Sequence, residues 1–158
     1  MKKIQLTQGK CALVDDDDYE NLNLFKWYYN DGYAVRNENG NRVRMHRQIM
    51  NPKEKFDVDH VDHNGINNQK HNLRICTRSQ NKMNSIKNRG ISKFKGVSIA
   101  KRVIKGKEYK YYRSRILIDG KAIEVTFPYS KLGEINAARC YNDMAIRYFG
   151  EFANINNL

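Results

Sequence analysis

The chain has 158 residues, 40% of them hydrophobic and ten of them tyrosine, which suffices for the core of one ordinary domain or two small ones. Twenty-nine lysines and arginines against 17 acidic residues give a formal charge of +12, a balance that suits a polyanionic partner, nucleic acid first. No apolar run approaches the roughly 20 residues of a membrane span, and the start MKKIQLTQGK has no apolar signal core, so a soluble, cytoplasmic protein is expected.

KKIQL and KCALV flank a TQG turn and read as a hairpin. DDDDYENLNLF follows as a short helix, with an Asp at its cap, acids in its first turn, and Tyr19, Leu22 and Phe25 at inward spacing. Cation binding by the quartet Asp15–Asp18 is the lesser reading, since a solvated acidic first turn is commoner. WYYNDGYAVRNENGNRVRMHR reads as strand, turn, strand with ENGN as the hairpin signal, and HRQIM opens a short helix that ends before Pro52.

Residues 57–84, DVDHVDHNGINNQKHNLRICTRSQNKMN, are dense in Asn and His, and Asn is seldom dense inside regular elements. Residues 85–93 have a basic linker composition whose cations, Lys87 and Arg89 among them, suit a DNA backbone. FKGVSIAK, KYYRSRILI and KAIEVTF read as three strands, the last two joined at Asp119-Gly120. Ser130 then caps a helix that Gly150 stops, with a predicted apolar stripe of Leu132, Ile135, Ala138, Tyr141, Ala145 and Tyr148. Net charge is +5 over residues 1–91 and +7 over 92–158, so both halves are basic.

The three cysteines, Cys11, Cys76 and Cys140, form no CxxC pair and read as free, mostly buried thiols. His60, His63 and His71 lie near Cys76, but a structural zinc site wants four soft ligands. A hard divalent cation prefers oxygen, which Asp59 and Asn amides offer. Histidine then serves as a base near neutrality, given a fixed ring and tautomer. Adjacent Asp and His on a strand point to opposite faces, so a bend is expected near HNGINN.

DHVDHNGINNQKHNLRICTRSQN resembles the core of free-standing, homing-type HNH nucleases. The matching anchors are Asp59-His60, Asn67-Asn68, Asn72-Leu73 and Asn81, with Asn72 and Asn81 twelve and twenty-one residues after His60. The resemblance implies a ββα-metal (His-Me finger) module gripping one divalent ion, Mg2+ or else Mn2+. It implies Asp59 and Asn81 as metal ligands, His60 as the general base and Asn72 as the residue that orients the His60 ring. Asn67 and Asn68 are expected to shape the loop, and His71 to lie at the surface. His63 departs from the pattern, which expects glycine or another small or polar residue there. MHRQIM resembles the segment preceding this core; Arg47 is a candidate phosphate contact and His46 a brace.

Phe94-Lys95-Gly96-Val97, Ala137-Ala138 with Tyr141, and Gly150, Ala153 and Asn156 resemble the APETALA-type DNA-binding domain of plant ethylene-response factors, a module that accompanies HNH nucleases in phage-type proteins. That resemblance implies a three-stranded sheet laid in the major groove. Alternation then turns Tyr112, Ile116, Ile118, Ile123, Val125 and Phe127 inward and Arg113, Arg115, Glu124 and Thr126 outward, with Lys95, Lys101 and Arg102 completing a basic surface. Ser98, Tyr112 and the longer FPYSKLGEINAA connection depart from the plant pattern.

The expected architecture is α+β: an HNH nuclease module over 1–84, a basic linker over 85–93, and a three-stranded antiparallel sheet packed on one helix over 94–158. The expected function is metal-dependent hydrolysis of double-stranded DNA, leaving 5′ phosphate and 3′ hydroxyl. A single site cuts one strand, so a double-strand break calls for a homodimer or two events. The competing readings are a DNA-binding transcriptional regulator without catalysis and a nonspecific nuclease.

Overall fold

The computed structural model describes residues 1–86 and 90–158, so Lys87 and Arg89, expected on DNA, lie outside the described residues. The chain divides into two compact units, Met1–Lys82 and Met83–Leu158.

In the first unit, β1 (Lys2–Gln5) and β2 (Cys11–Val14) pair antiparallel. Their alternation turns Ile4 and Ala12 to one buried face. Helix α1 (Asp16–Asn23) closes over this hairpin through Leu22, and Trp27 joins the same core while its indole Nε1 donates to Leu22 O at 2.8 Å. A fully buried side chain of this kind contributes about 1.5–3 kcal/mol. Two expectations for α1 fail. Asp15 makes no capping bond with its side chain, because that carboxylate is engaged elsewhere. Phe25 is 39% exposed, because α1 ends at Asn23 and helical spacing no longer applies to it; its ring lies 4.1 Å from the Arg36 guanidinium.

Strands β3 (Tyr28–Asn30), β4 (Tyr33–Glu38) and β5 (Asn41–Arg44) form an antiparallel meander. Asn39 and Gly40 both have positive φ, as the tight turn between β4 and β5 requires. Helix α2 (Met45–Met50) buries Met45 and His46 and ends at Asn51, whose left-handed backbone precedes Pro52. Strands β6 (Asp57–His60) and β7 (Leu73–Cys76) form a two-stranded ribbon, followed by α3 (Arg78–Asn84).

In the second unit, β8 (Val97–Ile104), β9 (Lys107–Ile118) and β10 (Lys121–Pro128) form an antiparallel sheet with β9 central, and α4 (Lys131–Phe149) lies across one face. Ser130 Oγ caps α4 by accepting from the Gly133 N–H at 3.0 Å. Ala137, Ala138, Tyr141 and Ala145 are the buried line of α4, facing Val97, Tyr112, Ile116, Ile123 and Phe127. Leu132 departs from the expected stripe and is 63% exposed. Steps of three residues lag a helical turn by about 60° each, so three such steps carry Leu132 to the side opposite Tyr141. Tyr148, near the end of α4, is likewise exposed. Val125 shares its face with Ser114 but sits on an edge strand and stays 39% exposed.

Gly96 is set by its surroundings. Its φ is +72°, and a Cβ there would stand 1.9 Å from the Tyr141 ring. Its carbonyl also accepts from the Arg115 N–H at 2.8 Å. The glycine of FKGV thus lets the backbone lie directly on the main aromatic of α4.

Candidate active site

His60 ends β6, and the chain turns at once: the His63 N–H donates to His60 O at 3.1 Å. His63 has φ of +62° and is exposed, which is why a glycine suits that place. The loop that follows is held from outside. Leu13 of β2 donates to Ile66 O and accepts from the Asn68 N–H, each at 2.8 Å. The Asp15 carboxylate accepts from the Lys70 N–H at 2.8 Å and from Gln69 Nε2 at 3.2 Å, and the Lys70 bond is the main cause that holds Asp15 below the usual carboxylate range.

Within the loop, Asp62 is the hub. Its carboxylate accepts from Asn64 N, Asn67 Nδ2 and Asn72 Nδ2, each at 2.8 Å. The Asn72 amide oxygen returns a bond from Asp62 N at 3.0 Å, and its Nδ2 also donates to Asn67 O. Asn72 is therefore spent on closing the loop, which corrects its expected role on the His60 ring. The amide beside that ring belongs to Asn68, fully buried, with Oδ1 3.3 Å from His60 Nε2. An acceptor at Nε2 fixes the proton there and makes Nδ1 the basic nitrogen. Burial holds His60 below the ordinary imidazole range, opposed by Asn68 and by the charges of Asp62 and Asp59, so the ring is neutral near pH 7.

The His60 side chain is 6% exposed and walled by two rings. His46 of α2 meets it at 4.8 Å between centroids and 87° between planes, and Tyr33 of β4 at 5.9 Å. Neither contact follows from sequence spacing.

The other face of the ribbon is acidic. Asp57 and Asp59 alternate onto it, opposite Cys76 and Arg74. Burial and the two aspartates push the Cys76 thiol up to about 11, so it is an inert thiol there. Asn81 Nδ2 donates to Asp57 Oδ2 at 3.3 Å, which turns the amide oxygen the other way. Arg74 places Nε and Nη2 on Asp59 Oδ2 at 2.9 and 2.7 Å. Among the described residues no three His, Cys, Asp or Glu side chains gather as a metal cluster. A hard cation that keeps waters and substrate oxygens needs only one or two carboxylates, and Asp59 with the Asn81 oxygen matches that donor chemistry. Asp57 and Arg74 were missed; alternation along one strand already puts Asp57 on the face of Asp59, whereas Arg74 becomes legible only once the register of β6 with β7 is known.

The remaining candidates are placed as follows. Arg47 Nη1 donates to Phe56 O at 3.1 Å, which ties α2 to the approach to β6. The Lys95 ammonium donates to Met83 O and Ser85 O, and burial draws it down to about 8, so it serves the chain and does not project from the sheet, contrary to expectation. Lys101 is a second correction: it pairs across from Lys110 on the α4 side of the sheet and bonds Glu108 at 3.2 Å, whereas Arg102, its neighbour, faces outward. Arg113 and Arg115 share the outer face with Glu124, whose Oε1 stands 3.6 Å from Arg113 Nη1 and 3.1 Å from Arg115 Nε. Arg113 Nε also reaches Ser98 Oγ at 3.4 Å.

A buried neutral histidine thus stands at a strand end, with an amide on its far nitrogen and oxygen-bearing side chains on the neighbouring face. The chain belongs to the HNH endonuclease family. It is 31% identical over 160 residues to an uncharacterised HNH endonuclease of Acanthamoeba polyphaga mimivirus, covering 96% of this chain and 77% of that protein. No family model and no solved structure matches the chain. No helix among the described residues is long and apolar enough to cross a membrane.

Proposed function

We propose that the protein is a metal-dependent DNA endonuclease in which β6, β7 and α3 form a ββα-metal module and the sheet of the second unit binds the duplex. The observation that carries this reading is the His60–Asn68 contact, which dedicates Nδ1 to taking a proton. Asp59 and Asn81 would hold a divalent ion, Mg2+ or Mn2+, with Asp57 steadying the Asn81 amide. Such an ion supplies positive charge to the scissile phosphate and its leaving oxygen. His60 Nδ1 takes a proton from the attacking water as the new P–O bond forms and the P–O3′ bond breaks. The Nε2–H, directed at Asn68 Oδ1, keeps the tautomer fixed while the ring gains charge.

On the second unit, Arg102, Arg113 and Arg115 lie on the sheet face opposite α4, the geometry of a β-ribbon reader in a major groove. An APETALA-type reading of this unit rests on that face and on the Gly96–Tyr141 contact. Binding through it and through phosphate contacts should fall steeply with salt.

The test is relaxation of supercoiled plasmid by the full chain with Mg2+ or Mn2+, wild type against His60→Ala. Metal-dependent nicking lost in the variant supports the reading. Tight duplex binding without cleavage, equal in both proteins, replaces it with a DNA-binding regulator.

A further inference from the structure

Tyr33 and His46 are aromatic walls on the His60 ring, and they are held from three sides. Tyr33 lies under the loop at Gly65, where an added Cβ would stand 2.7 Å from its ring and 2.5 Å from Gly32 O. The Arg44 guanidinium covers Tyr33 at 5.1 Å. His46 is 3% exposed and meets Tyr33 at 5.4 Å as well as His60 at 4.8 Å.

His46 is a costly choice for packing alone. Its Nδ1 is buried with no hydrogen-bond partner among the described residues. Leaving such an atom unsatisfied carries a desolvation penalty that an apolar side chain would not incur. Burial, with the nearby His60, Arg44 and Arg47, draws His46 down to about 3, so it stays a neutral ring and competes for no proton. What its place supplies is an edge-on stop. The Asn68 amide meets the His60 imidazole at Nε2, and the His46 ring stands edge-on against the same imidazole, across a terminal bond whose rotation is intrinsically broad and soft.

We propose that His46, backed by Tyr33, is a positioning residue for the catalytic base: its ring blocks rotation of His60 and so keeps Nε2 on Asn68 and Nδ1 toward the reacting water. This rests on the reading of His60 as the base.

The experiment combines steady-state cleavage with 15N spectra of histidine-labelled protein, on His46→Ala and His46→Phe. A misplaced base costs on the order of 10- to 100-fold in rate. His46→Ala is expected to lose that much in kcat with KM for DNA and Mn2+ affinity within about twofold, and to show His60 averaging between tautomers. His46→Phe restores an aromatic stop and is expected to recover most of kcat and a single Nε2-protonated His60. An alanine variant with unchanged kcat, or one that keeps His60 in one tautomer, overturns the proposal. So does a phenylalanine variant that folds with a wild-type melting temperature yet stays as slow as alanine. If the wild type cleaves nothing with any metal, the nuclease reading fails, and the His60 tautomer in His46→Ala still decides whether His46 orients the ring.

Discussion

Asn68→Leu should separate catalysis from stability. The wild-type amide is fully buried and uses Oδ1 on His60, while its Nδ2 has no hydrogen-bond partner among the described residues. Leucine of similar size removes the acceptor at His60 Nε2, which costs about 1–3 kcal/mol, and also removes the unsatisfied Nδ2, which returns a similar amount. Thermal stability should therefore stay within about 1 kcal/mol of wild type, since the backbone bond from Asn68 N to Leu13 O is retained. The lost contact matters most when His60 carries a proton, so 1–3 kcal/mol should appear in the transition state as a fall of roughly 5- to 150-fold in kcat at constant KM. Single-turnover cleavage of a labelled duplex and a urea melt measure the two quantities. A variant with wild-type kcat refutes the assignment of Asn68. A variant that loses both in proportion shows that Asn68 serves only the fold. Asn72→Ala is the control: it breaks three contacts that the Asn72 side chain makes with Asp62 and Asn67 in the loop and should lower the melting temperature as well as the rate.

Two further outcomes are expected. Gly96→Ala combines a positive φ with overlap on Tyr141 and should destabilise the second unit by about 1–3 kcal/mol, read as a lower urea midpoint and weaker duplex binding; an unchanged midpoint would contradict the packing. Lys95 titrates near 8 when folded and at its ordinary, higher value when unfolded, so the unfolded chain binds more protons between about pH 8 and 10.5. The stability of wild type relative to Lys95→Met should therefore be lowest below pH 8 and rise through that window; a flat or falling difference in urea melts would refute it.

How far the sequence reached depended on how local each signal was. The hairpins and the capped helix α4 rest on turn residues and caps within a few positions, and those were legible. The slip at Leu132 arose from summing three-residue steps over a long helix, where the lag accumulates. At the site, the placing of Asp59 and His60 on opposite faces of a strand that turns straight afterwards was legible from the adjacent pair and the HNGINN loop. Which amide meets the ring was not, because Asn68 and Asn72 are both within reach along the chain and only the Asp62 hub decides between them. Tyr33 and Arg74 became visible through tertiary contact and strand register alone, and His46, expected as a brace, gained its partner His60 only there.

The clamp on the loop from Leu13 and Asp15 has a consequence for engineering and for folding. The residues that define the motif cannot be moved as a cassette of 57–84, because the backbone groups that shape it end on a segment more than 50 residues earlier. A graft lacking that segment would leave the Lys70 and Asn68 amides to water and the loop free to sample other turns. The same separation gives the site a high contact order, and the entropy of closing so long a loop is met before the catalytic geometry exists. A fragment starting after residue 15 should thus be a poor nuclease while retaining every residue named in the chemistry.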